Sequence, residues 1–352
     1  KPGNVQLNSS AVNKKACKGK VITFNCSADA YPAVTSYQLF ENELAIYNTS
    51  AAGMWSKTLE NEGVFVYKSV ANNSLGSGNS ISGAITVNVP SSIIQITQDQ
   101  NVTEGVNVTL TCNVSGVPPP IVSWMKPNGD RRVGYLLEVT NINRSEAGEY
   151  KCEASDECGN ATEMAEIDVL YQPEFTSVSD DEVLVEGEGD PSVTLECTAD
   201  GEPTPNITWT RVYDNGSDGG VLATESQFVL ENNRTKSETY RCTAYNGIGT
   251  APNRTVKVEV NFKPEIVKPL VNDSTVCEGD VISITCSADS RPAVHTYQLF
   301  ENGILVADGN SSAGVWIVRR DLKEGNFSYR CVANNTISTS EETVNITGKG
   351  TV

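Results

Sequence analysis

Three times along this chain a cysteine is followed, 40 to 45 residues later, by a tyrosine, a basic residue and a second cysteine. Cys112 precedes Tyr150-Lys151-Cys152, Cys197 precedes Tyr240-Arg241-Cys242, and Cys286 precedes Tyr329-Arg330-Cys331. A spacing that recurs with its flanking aromatic residue marks one structural unit copied in tandem. Between the cysteines the side chains alternate. Val106, Val108, Leu110 and Cys112 point one way, and Asn107, Thr109 and Thr111 point the other. That period of two is a strand with one buried face. Clusters of glycine, proline and asparagine break such runs every 8 to 12 residues or so, and no long stretch carries helical periodicity, which reads as an all-β sandwich class. At 352 residues the chain exceeds one ordinary core, so several such units follow one another.

Charge and hydropathy exclude other classes. The formal charge is −18 with no cluster of Lys and Arg standing against it. No nucleic acid partner is expected, because phosphate neutralisation needs a basic surface. The acidity reads first as solubility and second as a means of steering a basic partner. There is no membrane span in this segment, since no run of 18 apolar residues occurs. No charged, apolar leader precedes Lys1, so the chain reads as a mature or trimmed ectodomain.

Asparagine followed two residues on by Ser or Thr occurs at Asn8, Asn25, Asn48, Asn72, Asn101, Asn107, Asn113, Asn143, Asn160, Asn206, Asn215, Asn233, Asn253, Asn272, Asn310, Asn326, Asn334 and Asn345. Composition alone would give roughly six such acceptors. The excess points to a secreted, glycosylated chain, extracellular or the ectodomain of a cell-surface protein. In an oxidising compartment cysteines are read as disulfides before metal ligands or nucleophiles.

Trp124 and Trp209 each follow the first cysteine of their unit by twelve residues. With the Tyr-x-Cys triplets, this pattern resembles the immunoglobulin superfamily, in its I-set or C2-like branch, over the whole chain. The resemblance implies four tandem immunoglobulin-like β-sandwiches in an extended rod: 1–90, 91–172, 173–262 and 263–352, the last similar to the first. The junctions fall near Pro90, Tyr171-Gln172-Pro173 and Phe262-Lys263-Pro264. They are only a few residues long and hold a proline each, so little bending is expected. At about 3.3 Å per residue each unit spans about 35 to 40 Å and the rod about 150 Å. In that family a strand B cysteine bridges to a strand F cysteine, a strand C tryptophan packs on the bridge, and the tyrosine two before the second cysteine closes a corner. Core pairs Cys112–Cys152, Cys197–Cys242 and Cys286–Cys331 follow from the resemblance. Glu146 stands where the family usually has Asp. Units one and four lack the tryptophan: Leu39 and Leu299 take its slot, with Trp55 and Trp316 placed to restore core volume.

The family pattern leaves Cys17, Cys26, Cys158 and Cys277. Cys26 aligns with the strand B cysteines, but its partner position is Ser69, as the match of Tyr67-Lys68-Ser69-Val70-Ala71-Asn72-Asn73 to Tyr329-Arg330-Cys331-Val332-Ala333-Asn334-Asn335 fixes. Whether Ser69 is natural or introduced, Cys26 becomes an unpaired, buried, small apolar side chain. A strand holds Cys17 and Cys26 roughly 30 Å apart, and a disulfide needs about 4.4 to 6.8 Å. In the resembling fold Cys17 lies in the turn before strand B, at the pole where the chain leaves unit one. Cys158 lies in the turn between strands F and G, at the pole where it enters unit two. An interdomain pair Cys17–Cys158 is therefore expected. Cys277 repeats Cys17 and is left unpaired or intermolecular, bonded to a following domain or another chain, or else a plain exposed thiol.

Other constellations read as bland. His295 is the one histidine and has no family-like acid or thiol near it, so no catalytic residue is assigned and the chain is not an enzyme. Asp180-Asp181-Glu182 and Glu186-Gly187-Glu188-Gly189-Asp190 match no ordered calcium loop, and neither metal nor cofactor is expected. Asn128-Gly129-Asp130 reads as a turn. The resemblance implies protein–protein binding in cell adhesion or recognition, to a protein ligand or to itself (homophilic), at the cell surface or in matrix. Unit one, where its sheets are poor in glycan, is the expected contact. The alternative is a structural repeat of a matrix filament or stalk, linked onward through Cys277.

Overall fold

The computed structural model describes every residue except 48, 82, 273, 278–279, 320–324 and 350–352, and gives the backbone alone at 267–268, 307–310 and 319. Strands carry the fold. Among the described residues there is no α-helix, only single 3-10 turns at Arg144–Glu146 and Arg234–Lys236. The chain forms two compact units, Lys1–Tyr171 and Gln172–Val352. In the first, buried side chains gather around Phe24, Leu39, Trp55 and Tyr67, and separately around Leu110, Trp124, Ile142 and Tyr150. In the second they gather around Leu195, Trp209, Tyr240 and Val258, and around Ile284, Leu299, Trp316 and Tyr329. Each cluster is the core of one β-sandwich, numbered here one to four in chain order.

The second sandwich shows how alternation builds the layers. Strand Val108–Val117 buries Val108, Leu110 and Cys112 and exposes Thr109 and Thr111. It pairs antiparallel with Leu136–Val139, where Leu110 faces Leu137. Across the core, Arg131–Val133, Ile121–Met125, Gly148–Asp156 and Gly159–Val178 lie side by side, with Gln100–Thr103 parallel to the last. That parallel edge recurs. Lys15–Cys17 runs along Thr86–Asn88, Glu182–Val185 along Val258–Asn261, and Thr275–Cys277 along Thr347–Lys349.

Register explains the missing tryptophans. Trp124 lies opposite Cys152 and Trp209 opposite Cys242, just as Leu39 lies opposite Ser69 and Leu299 opposite Cys331. Leucine occupies the indole's place in sandwiches one and four. Volume returns from the facing sheet: Trp55 sits opposite Phe24 and Trp316 opposite Ile284, where sandwich two has Leu137 opposite Leu110. Both indoles are buried.

Within each unit one strand serves two sandwiches. Gly83–Ile96 pairs at its start with Gly63–Tyr67 of sandwich one and further on, from Val89 to Ile96, with Val108–Val117 of sandwich two. Asn253–Val271 does the same between sandwiches three and four. Proline at 90 is compatible with such a strand because ladder hydrogen bonds are handed from one neighbour to the other there.

The tyrosine corner divides the sandwiches. The Tyr150 hydroxyl donates to the Glu146 carbonyl at 2.8 Å and Tyr240 to the Lys236 carbonyl at 3.0 Å. In sandwiches one and four the tyrosine has another acceptor: Tyr67 donates to Glu41 Oε2 at 2.5 Å and Tyr329 to Glu301 Oε1 at 2.9 Å. There a carboxylate on the neighbouring strand accepts from the hydroxyl, where sandwiches two and three use a backbone carbonyl. Burial, with the Glu146 charge adding to it, pushes Tyr150 up to about 12. Burial likewise takes Tyr240 to about 12, Glu238 adding and Arg211 opposing. A phenol whose folded value is raised stabilises fully below its unfolded value, near 10, and loses that contribution as pH rises towards 12. Alkaline unfolding of sandwiches two and three is therefore expected between pH 10 and 12, followed by absorbance at 295 nm and circular dichroism. An unchanged alkaline midpoint in Tyr150→Phe and Tyr240→Phe would contradict this.

The cysteine joint and the exposed sheet faces

Strand Lys15–Cys17 lies along Thr86–Asn88, so Cys17 sits where the shared strand Gly83–Ile96 leaves sandwich one. Cys158 lies in the turn between Gly148–Asp156 and Gly159–Val178 of sandwich two. Their sulfurs are bonded, with the Cα atoms 5.7 Å apart. Around the bond, Lys15 Nζ meets Glu157 Oε1 at 2.7 Å, Asn88 Nδ2 donates to Glu157 at 3.3 Å, and the Ser91 hydroxyl donates to the carbonyls of Ala154 and Gly159. Lys15 and Glu157 are 52% and 55% exposed, so water screens the pair and it contributes at most about 1 kcal/mol. The covalent bond and the shared strand set the joint.

One polar atom at this joint is misfitted. Asp156 Oδ1 accepts from the N–H groups of Cys158 and Gly159, but its buried Oδ2 has no protein partner among the described residues. The sister turns place asparagine here. Asn73 donates to the Pro32 carbonyl at 2.7 Å, Asn246 to Pro203 at 2.8 Å, and Asn335 to Pro292 at 3.0 Å. Each also accepts from the backbone two residues on. A carboxylate only accepts. Asp156→Asn restores the donor, and its expected effect is a gain of about 1 to 2 kcal/mol, read as a higher melting temperature of the first unit. A lower melting temperature would show that Oδ2 is better served as it stands.

The remaining cysteines fall into two groups. Cys112–Cys152, Cys197–Cys242 and Cys286–Cys331 are bonded across their cores, with Cα separations of 6.5, 6.5 and 6.2 Å. Cys26 and Cys277 are free, the first buried and the second exposed. Cys26 Sγ touches Ser69 Oγ. Burial pushes its thiol up, which the Ser69 hydroxyl partly offsets. Cys277 ends the strand equivalent to Lys15–Cys17, and its N–H donates to Asp280 at 2.7 Å.

The acceptor asparagines whose side chains are described are exposed or half-exposed. Asn8 and Asn25 are cross-strand neighbours on sandwich one, and Asn72 is next to last in its strand Gly63–Asn73. On sandwich two, Asn113 lies on the outer side of Val108–Val117, Asn143 caps Arg144–Glu146, and Asn107 accepts from Asn141. Asn101 lies beside Asp168 and Asn160 beside Ser155. On sandwich three, Asn206 and Asn253 stand on one sheet face, Asn215 is in a turn, and Asn233 caps Arg234–Lys236. On sandwich four, Asn326, Asn334 and Asn345 share the sheet formed by Gly325–Asn334 and Thr339–Lys349. Asn272 accepts from the Ser283 N–H, Asn310 pairs by its backbone with Gln298, and Asn48 lies outside the described residues.

Two of the acidic candidates and the histidine have partners within the protein. Glu186 holds Arg234, whose guanidinium keeps that carboxyl below the usual range, and Asp181 accepts from the Lys257 N–H. No group of three metal-ligating side chains occurs among the described residues. His295 is exposed and meets Thr296 Oγ1 at 3.0 Å. Asn128 and Asp130 bond to each other across their turn.

One sheet face exposes apolar side chains around a charged pair, Arg131 with Glu153 at 2.7 Å. Register brings Ile121, Ser123 and Met125 alongside Ser155, Glu153 and Lys151, with Val133 flanking Ser123 and Met164 flanking Lys151. Ile121 is 69% exposed, Val133 80%, Met164 56% and Met125 42%. Asn160 and Asn101 stand at the two ends of its Gly159–Val178 side, and the Asn160 amide donates to Glu153 in the central row at 3.0 Å. No residue in the sequence spacing flagged these apolar side chains, because they alternate like any solvated strand.

The immunoglobulin domain family matches residues 90–156 and 172–246. Those two segments belong to the immunoglobulin domain family, and the four sandwich cores with their strand order match a protein of tandem immunoglobulin domains. It is 26% identical over 360 residues to human Probable oxidoreductase PXDNL, spanning 90% of this chain and 23% of that protein. It is 25% identical to human Hemicentin-1, over 95% of this chain and 6% of the other. It is 27% identical to mouse Neuronal cell adhesion molecule, over 93% of this chain and 28% of the other. The chain thus spans less than a third of these relatives. The solved structure of Dpr2 Ig1-Ig2 in complex with DIP-Theta Ig1-Ig3 shares the fold, at TM-score 0.51 and 21% identity, over 74% of this chain and 99% of that one. No helix among the described residues is long and apolar enough to cross a membrane.

Proposed function

We propose that the chain is an extracellular binding protein, secreted or part of a cell-surface ectodomain, that mediates adhesion or recognition through protein–protein contacts and has no catalytic role. The open face of Ile121, Met125, Val133 and Met164 carries this reading. Apolar side chains exposed together between glycan acceptors suit a protein partner, since solvated faces rarely group them. Relatives named as adhesion molecules support it. Beads coated with the glycosylated chain are the test, mixed with one another and with cells. Met164→Arg or Val133→Arg should abolish capture, and capture that survives both would sink this face.

A second reading rests on Cys277. Its exposure on the strand matching that of Cys17 suits a structural repeat of a matrix filament, with Cys277 bonded to the corresponding turn of a further domain or another chain. Non-reducing gels of the secreted protein distinguish the two. Covalent multimers lost in Cys277→Ser favour the filament, and a clean monomer favours adhesion.

A further inference from the structure

The bond between Cys17 and Cys158 closes a covalent loop over a separation of 141 residues, containing most of sandwiches one and two. We propose that this bond is a shunt: a pull arriving at Lys1 passes through it into the last strand of sandwich two, and residues 18–157 stay out of the load path. Force on a chain follows its shortest covalent path, and a disulfide outlasts strand hydrogen bonds worth about 1 kcal/mol each. From Lys1 that path runs to Cys17, crosses the bond, and resumes at Cys158. Residues 18–157 hang from it as a closed loop.

Little of sandwich one remains on the path. Strand Gly3–Ser9 peels from Val21–Asp29, and Lys15–Cys17 from Thr86–Asn88, after which the bond stops further extension. Beyond Cys158 the path enters Gly159–Val178, held against Gly148–Asp156 and Gln100–Thr103. A separate observation agrees. The other three sandwiches each carry a core bond that limits how far they lengthen, spanning 40, 45 and 45 residues. Sandwich one alone has Cys26 against Ser69 and no core bond. The sandwich with no internal limit is the one the shunt removes from the load.

Single molecules of the full chain, pulled by handles at residues 1 and 352 in oxidising buffer, test this. The bridged chain shows no release of sandwich one. The Cys17→Ser/Cys158→Ser chain gains the 141-residue span less the 40 residues already closed by Cys112–Cys152. That is about 100 residues, or about 36 nm at about 3.6 Å each. A step of that size with the bond intact, or equal total extension in the two chains, overturns the proposal. Should the double variant fold poorly, moving the first handle to Asn61, inside the loop, keeps the bond. Sandwich one then yields a step of about 16 nm, from about 44 residues back to Cys17, and its absence overturns the proposal equally. The shunt rests on the bond and is independent of the adhesive face: Met164→Arg leaves the force curve unchanged whatever it does to capture.

Discussion

Trp124→Ala lowers the stability of sandwich two by about 3 to 5 kcal/mol, the range for deleting a buried indole. Trp124 is fully buried, lies opposite Cys152, and belongs to the cluster of Leu110, Ile142 and Tyr150. Two strands that abut through it would face a cavity that the rigid sheets cannot close. Its indole N–H has no acceptor among the described residues, so Trp124→Phe gives up volume but no hydrogen bond and costs less than half as much. Hydrogen exchange across residues 108–169 measures both. A loss under about 1 kcal/mol for alanine would mean that the bond Cys112–Cys152 alone holds the sheets together.

Ser69→Cys stabilises sandwich one by about 2 to 4 kcal/mol. Cys26 Sγ already touches Ser69 Oγ, both are buried, and the positions match those of the bonded pair Cys286 and Cys331. A bond closed between positions 26 and 69 removes loop entropy from the unfolded chain, while the native strands need not move. Peptide mapping without reductant should find the new bond, and the urea midpoint should rise. A variant that shows three titratable thiols, Cys277 among them, where the bonded form shows one, or a midpoint that falls, would show that the sheets of sandwich one stand differently from those of its sisters.

What the sequence reveals is what repeats locally. Val108, Leu110 and Cys112 announce a strand because burial alternates with the pleat, and the family likeness follows from Trp124 with Tyr150 and Cys152. Leu39 and Leu299 could be placed by the matching segments around them. Other features depend on distance across the fold. The Tyr67 hydroxyl turns to Glu41, 26 residues back, and no local pattern separates it from Tyr150, which keeps to the backbone four residues away. The orphaned oxygen of Asp156 is visible only beside Asn73, Asn246 and Asn335 in their own turns. The open face of sandwich two needs register, since Met125, Lys151 and Met164 become neighbours only when three strands are laid side by side.

The strand Gly83–Ile96 runs without a loop from sandwich one into sandwich two, and two bulges against Val108–Val117 already set its facing. One residue added or removed around Pro90 would invert inside and outside for everything downstream on that strand, sending Ile93 and Ile96 to water. Loop tips elsewhere can drift in length among descendants of this chain, whereas this segment can change only by keeping its parity.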